Sequence, residues 1–148
     1  MNIILDDGAF APEKAHETDA GFDIRTPRDV IVPPTICRGD TNYVFIGCAV
    51  IDTGVHVEIP RGYVGMLKSK SGLNVKHNII GEGVVDAGYT GSIVVKLYNL
   101  NNTEYRFRRG DKIIQLVVAP ISEDSSITVV DKFEETERAN NGFGSSGR

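Results

Sequence analysis

Asp86 stands in the run Gly83-Val84-Val85-Asp86-Ala87-Gly88-Tyr89-Thr90-Gly91, between an apolar pair and an aromatic ring. Aspartate is disfavoured inside strands, so this carboxylate is expected at a strand end, on a rim that a ligand can reach. The apolar run Ile93-Val94-Val95 follows, and the pattern predicts a β-hairpin carrying one acid and one ring at its tip. An Asp and a Gly serving an ordinary turn explain the same residues taken alone. A second group with chemistry is Lys68-Ser69-Lys70-Ser71-Gly72-Leu73. A basic Ser-Gly turn between a strand and a short helix makes an anion site. Near the C-terminus, Gly142-Phe143-Gly144-Ser145-Ser146-Gly147 lies between Arg138 and Arg148. Glycines let backbone N–H groups converge on an anion, and hydroxyls and guanidinium groups add donors for phosphate. The Phe143 ring offers a face on which a base can stack. A base with phosphates is a nucleotide.

These residues need a scaffold, and the rest of the chain predicts an all-β one. Short β-branched runs recur between Gly, Pro, Asn and Asp: Val30–Val32, Tyr43–Ile46, Val55–Ile59, Tyr63–Leu67, Ile93–Leu97, Thr103–Phe107, Ile113–Val118 and Ile127–Val130. Many alternate with period two, which indicates a β-sandwich, jelly roll or barrel. One short helix is expected near Leu73–His77, of one or two turns. The stretch from Glu134 to Arg148 is polar and rich in Gly, Ser and Asn, and is expected to form a mobile arm after a domain spanning residues 1–133.

Composition narrows the function. The 148 residues suffice for one domain with a real core. A net charge of -4 argues against a broad nucleic-acid surface, so a polyanion must meet a local basic pocket. No run has the length of a membrane-spanning helix, and the N-terminus turns acidic too soon for a signal peptide, so a cytoplasmic protein is expected. Cys37 and Cys48 are expected to be reduced core thiols. His56-Val57-Glu58 lacks the Pro-Cys-x-x-Cys of a zinc deaminase, and His56 is expected to be a strand residue with its partner satisfied. His16 and His77 lack metal-ligand spacing, and no Gly-x-x-x-x-Gly-Lys-Ser/Thr element exists.

Five segments in order resemble the trimeric dUTP pyrophosphatases (dUTPases). They are Asp19-Ala20-Gly21-Phe22-Asp23-Ile24, Ser69-Lys70-Ser71-Gly72-Leu73, the Asp86 turn, Gly110-Asp111-Lys112-Ile113-Ile114-Gln115-Leu116, and the terminal Gly-Phe-Gly-Ser-Ser-Gly. The resemblance implies a distorted jelly-roll subunit, and a homotrimer whose three active sites are each shared between subunits. It implies Mg²⁺-assisted hydrolysis of dUTP to dUMP and pyrophosphate, which limits uracil in DNA and supplies dUMP for thymidylate synthesis. By that likeness Asp86 orients and deprotonates the attacking water. Gly83, Val85 and their neighbours read uracil through main-chain groups, and Tyr89 packs under the sugar. Asp23 holds the metal through water. Lys70, Ser71, Gly72 and Gln115 contact phosphates, and Lys96 is placed among the substrate contacts. Phe143 stacks on uracil while Arg138, Gly144, Ser145 and Ser146 close over the triphosphate.

Three positions depart from the family pattern. Lys70 stands where Arg is usual and lacks the bidentate fork. Ser69 replaces a common Pro, which predicts a looser turn, and Ala139-Asn140-Asn141 replaces Gly-rich spacing before the Phe segment. A dCTP deaminase of the same fold is the nearest rival, but it carries a Glu where Lys96 stands here. An ammonium cannot act as that base at neutral pH without a large shift. A nucleotide-sensing interaction protein on the same fold is the other alternative.

Overall fold

A computed structural model describes residues 1–39, 43–122 and 126–136. Two antiparallel four-stranded sheets carry the fold. The first has the order β1 (Ile3–Leu5), β6 (Gly47–Val57), β10 (Ser92–Asn99), β8 (Ile79–Ile80). The second has the order β2 (Gly21–Arg25), β12 (Lys112–Pro120), β7 (Tyr63–Lys68), β9 (Glu82–Val85). Two small ribbons complete it: β3 (Val30–Val32) with β11 (Tyr105–Phe107), and β4 (Ile36–Arg38) with β5 (Tyr43–Phe45). The single helix among the described residues, α1, spans Ser71–His77 and follows β7.

Period-two burial builds the core. Ile51, Val55 and Val57 of β6 and Ile93, Val95 and Leu97 of β10 point inward with Ile24, Leu67, Val85 and Leu116 of the other sheet. Asn99 is the polar hub. Its buried amide donates to the Val32, Pro33 and Thr103 carbonyls, so no donor is left unpaired.

The structure corrects the expected hairpin. β9 pairs with β7, with Val85 opposite Gly65 and Glu82 opposite Lys68, whereas β10 pairs with β6 and β8. The Asp86 turn therefore crosses from one sheet to the other instead of closing a two-stranded ladder. Gly81 makes the first change of sheet possible, between β8 and β9. A Cβ there would meet Leu97 Cδ2 at 2.9 Å and the Lys96 carbonyl at 3.0 Å. Two further expectations fail. Ile127–Val130 forms no strand, and Ile127 and Val129 are 97% and 96% exposed. Cys37 is exposed on β4 rather than buried, although both thiols are free as expected.

Candidate active site

The cationic end of the site grows from the β2–β12–β7 register. Gln115 of β12 lies opposite Asp23 of β2 on one side and Lys68 of β7 on the other. Ile113 and Ile114 are both buried although they are consecutive, because β12 bulges between Lys112 and Ile114. A bulge re-aims its neighbours, and here the Lys112 ammonium lies 2.7 Å from Asp23 Oδ2. The Lys70 ammonium donates to Asp23 Oδ1. Asp23 is only 6% exposed, and both its oxygens face cations. Burial alone would raise its pKa. The hydrogen bonds and charges of Lys112 and Lys70 outweigh that and hold the carboxyl below its ordinary value.

Ser69 ties this cluster to the rest of the sheet. Its Oγ donates to the Gly81 carbonyl and accepts the Gly81 N–H, each at 2.9 Å. The turn is stitched at this point and is not the looser one expected without proline. Gln115 Nε2 donates to the Ser69 carbonyl at 3.3 Å. Ser71 and Gly72 then open α1, whose N-cap residue Lys70 makes no side-chain capping bond. The first-turn N–H groups are thus left without a side-chain acceptor. Lys70, Ser71, Gly72, Gln115 and Asp23 are brought to one end of the second sheet. Lys112 lies in the Gly110–Leu116 segment, and nothing in its type or spacing marks it as a partner of Asp23. An open cavity of about 390 Å³, lined in part by Arg25, Leu73, Tyr105 and Lys112, borders the cluster.

The acidic end lies at the other end of β7. Asp86 is exposed and follows Val85, and its carboxylate has no partner among the described residues. The Tyr89 N–H donates to the Asp86 carbonyl at 3.0 Å and closes the turn. The Tyr89 hydroxyl donates to the Ser92 carbonyl at 2.9 Å, which lays the ring over Gly91. A Cβ at Gly91 would collide with that hydroxyl. Gly83 faces Leu67 across the β7–β9 ladder. Lys96 lies on the exposed side of β10, with its ammonium 5.0 Å from the Tyr98 ring centre. Arg138, Phe143, Gly144, Ser145 and Ser146 lie outside the described residues.

Seven residues of chain separate the register position of Asp86 from that of Ser71 along β7 and its extension, on the order of 20 Å. One chain thus presents an acid with a ring toward one end of β7 and a cationic cluster toward the other.

The dUTPase family model matches residues 8–147. The chain belongs to the dUTPase family. It is 36% identical over 142 residues to the deoxyuridine 5'-triphosphate nucleotidohydrolase of Eremothecium gossypii, covering 95% of this chain and 86% of that one. The enzyme of the same name from Clostridioides difficile is 33% identical over 146 residues, with 97% and 94% covered. Among solved structures, the dUTPase of Staphylococcus bacteriophage 80alpha with dUpNHpp superposes with a TM-score of 0.85 at 33% identity, covering 99% and 98% of the two chains. A mutant dUTPase of the S. aureus phage phi11, described with a structural Mg(II) ion, gives 0.75 at 30% identity, with 90% and 98% covered.

The charged residues of this chain bear on any such metal. Among the described residues no group of three or more His, Cys, Asp or Glu converges to hold an ion. Asp23 has both oxygens on ammonium groups, so direct coordination there does not suit it. Asp23 would serve a hard cation only through an intervening water, and the cation would need its other oxygen donors from outside this cluster.

Proposed function

We propose that the protein hydrolyses dUTP to dUMP and pyrophosphate at a site made of the Asp86 turn of one copy and the Lys70–Asp23–Lys112 cluster of another. Asp86 accepts a proton from a water as that water bonds to the α-phosphorus. The bond from the α-phosphorus to the bridging oxygen breaks, and pyrophosphate departs. A positioned carboxylate contributes on the order of 10²–10⁴ in rate to such a step. The main chain from Gly83 through Val85 to Tyr89 supplies fixed donors and acceptors for the uracil edge. The Tyr89 ring, held over Gly91 by its bond to Ser92, forms a floor under the sugar.

On the cationic side, Lys70 and Lys112 share one carboxylate, so the trio keeps one net positive charge for the phosphates. Ser71, Gly72 and Gln115 stand beside it as neutral donors. Mg²⁺, when bound to the triphosphate, would neutralise further charge on the phosphates. Arg138, Phe143, Gly144, Ser145 and Ser146, in an arm beginning at residue 134, would close over base and phosphates and exclude bulk water. Lys96 is not assigned a part, because its ammonium is committed to Tyr98.

The observation that carries this reading is the division of the family's residues into two complementary half-sites at opposite ends of β7. A base acts on a water within about 3 Å, which the two halves of one chain cannot offer to one nucleotide. A homotrimer is the assembly the family resemblance implies, and exposed apolar residues support association: Ile127 and Val129, with Tyr43 and Phe45 of the β4–β5 ribbon. Pyrophosphate release measured across dUTP, dCTP, dTTP and UTP tests the substrate. Selective turnover of dUTP is expected, and ammonia release from dCTP or binding without turnover would contradict it.

A further inference from the structure

His56 lies on β6, in register with Ile4 of β1 on one side and Ser92 of β10 on the other. Its Nδ1 is 2.8 Å from the Thr90 carbonyl and its Nε2 is 3.3 Å from Asp6 Oδ1. Both neighbours are acceptors. A neutral imidazole has one N–H and serves only one of them, whereas the imidazolium serves both. The Thr90 carbonyl pushes the His56 pKa up, partial desolvation works against it, and Asp6 and Asp52 add to the rise. The charged groups facing the ring are Asp6 from the turn after β1, Asp52 on β6 and Glu58 just past it. The Glu58 carboxylate is engaged by Asn2 Nδ2 at 2.6 Å, and β10 presents only uncharged Ser92 here.

Thr90 belongs to the limb on which the chain returns from the Asp86 turn. The β10–β6 ladder slips between Ser92 and Val94, so on this limb only Ser92, opposite His56, is in register with β6. Side chains of β6 add to that hold. Asp52 accepts from the Ser92 hydroxyl, and His56 donates to Thr90. A cavity of about 280 Å³, lined by Ile3, Ile4, His56 and Thr90 among others, leaves the limb room to shift once released.

We propose that His56 is a positioning residue, which through Thr90 holds Tyr89 at the geometry that binds the nucleotide, and which loosens when its Nε2 proton is lost. The proposal rests on the reading of the Asp86 turn as the nucleotide half-site. In the neutral ring the Nδ1–H keeps Thr90, but the Nε2 lone pair faces the Asp6 carboxylate and the ring loses its second anchor. The sign follows. The Asp6 anchor is fully present below the ordinary histidine range and is lost as pH rises through the raised value.

The test is steady-state kinetics with dUTP for the wild type, His56→Leu and His56→Asn from about pH 6 to about pH 9. His56→Leu is expected to raise KM about five- to tenfold while kcat changes less than about twofold. His56→Asn, whose Nδ2 can stand in the place of Nδ1, should recover most of that loss. The wild-type KM should rise with pH relative to the Asn variant, a ratio that cancels ionisation of the nucleotide itself. A folded Leu variant with wild-type KM, or identical pH profiles for wild type and Asn, would overturn the proposal. If the Leu variant does not fold, the comparison of wild type with Asn decides. Absence of dUTP turnover in the wild type would instead sink the functional reading, and this inference with it.

Discussion

Asp86→Asn keeps the shape of the side chain and removes its capacity to take a proton. Its carboxylate has no partner among the described residues, so the substitution should not disturb the turn. The expected result is a fall in kcat of about 10²–10⁴ with the affinity for a non-hydrolysable dUTP analogue nearly unchanged. Gly91→Ala acts on the neighbouring ring: the new methyl would displace the Tyr89 hydroxyl from above it. KM for dUTP should rise and discrimination against UTP should weaken, as competition kinetics would show. Lys112→Met leaves Asp23 to Lys70 alone, and a loss of about 1–3 kcal/mol is expected in denaturant unfolding. Because Asp23 is held below its ordinary value, its contribution is full above that value and lost as pH falls through the lowered one. The Tm of the wild type should therefore drop more steeply in acid than that of Asp23→Asn. At this scale the sequence was readable wherever a residue type is unusual for its place, as with Asp86 at a strand end. Lys112 was not readable, since only the bulge after it turns its ammonium to Asp23.

Elements divide in the same way. The period-two runs mark the strands because alternate burial needs only local pattern, and β3, β7, β10 and β12 form where that pattern lies. The short helix after Ser71-Gly72 also forms, with Lys76 and His77 in its last turn favouring the helix dipole. The partner of a strand is a different matter. A hairpin and a crossing between sheets bury the same Val85, Ile93 and Val95, and only long-range pairing decides between them. Gly81 bears the crossing from β8 to β9, so Gly81→Ala should cost about 1–3 kcal/mol by forcing Leu97 and the Lys96 backbone apart. Because Gly81 is also bonded to Ser69, the same substitution should raise KM for dUTP. Ile127–Val130 has the composition of a strand, but composition does not supply a partner, and it pairs with no strand among the described residues.

At the scale of the whole molecule, the Asp86 turn and the Lys70–Asp23 cluster of one chain lie at opposite ends of β7, so the proposed site requires an assembly. Ile127→Ser combined with Val129→Ser should weaken self-association in analytical ultracentrifugation, and activity should fall with it as the protein is diluted. Mixing two inactive variants tests the division most directly. Asp86→Asn retains an intact cationic cluster, and Lys70→Glu combined with Ser71→Ala retains an intact acidic turn. Unfolded and refolded together in equal amounts, they should regain about a quarter of wild-type dUTP turnover, since one contact in four joins two intact halves. A mixture that stays as inactive as its components, while forming the same assembly as the wild type, would contradict a site shared between copies.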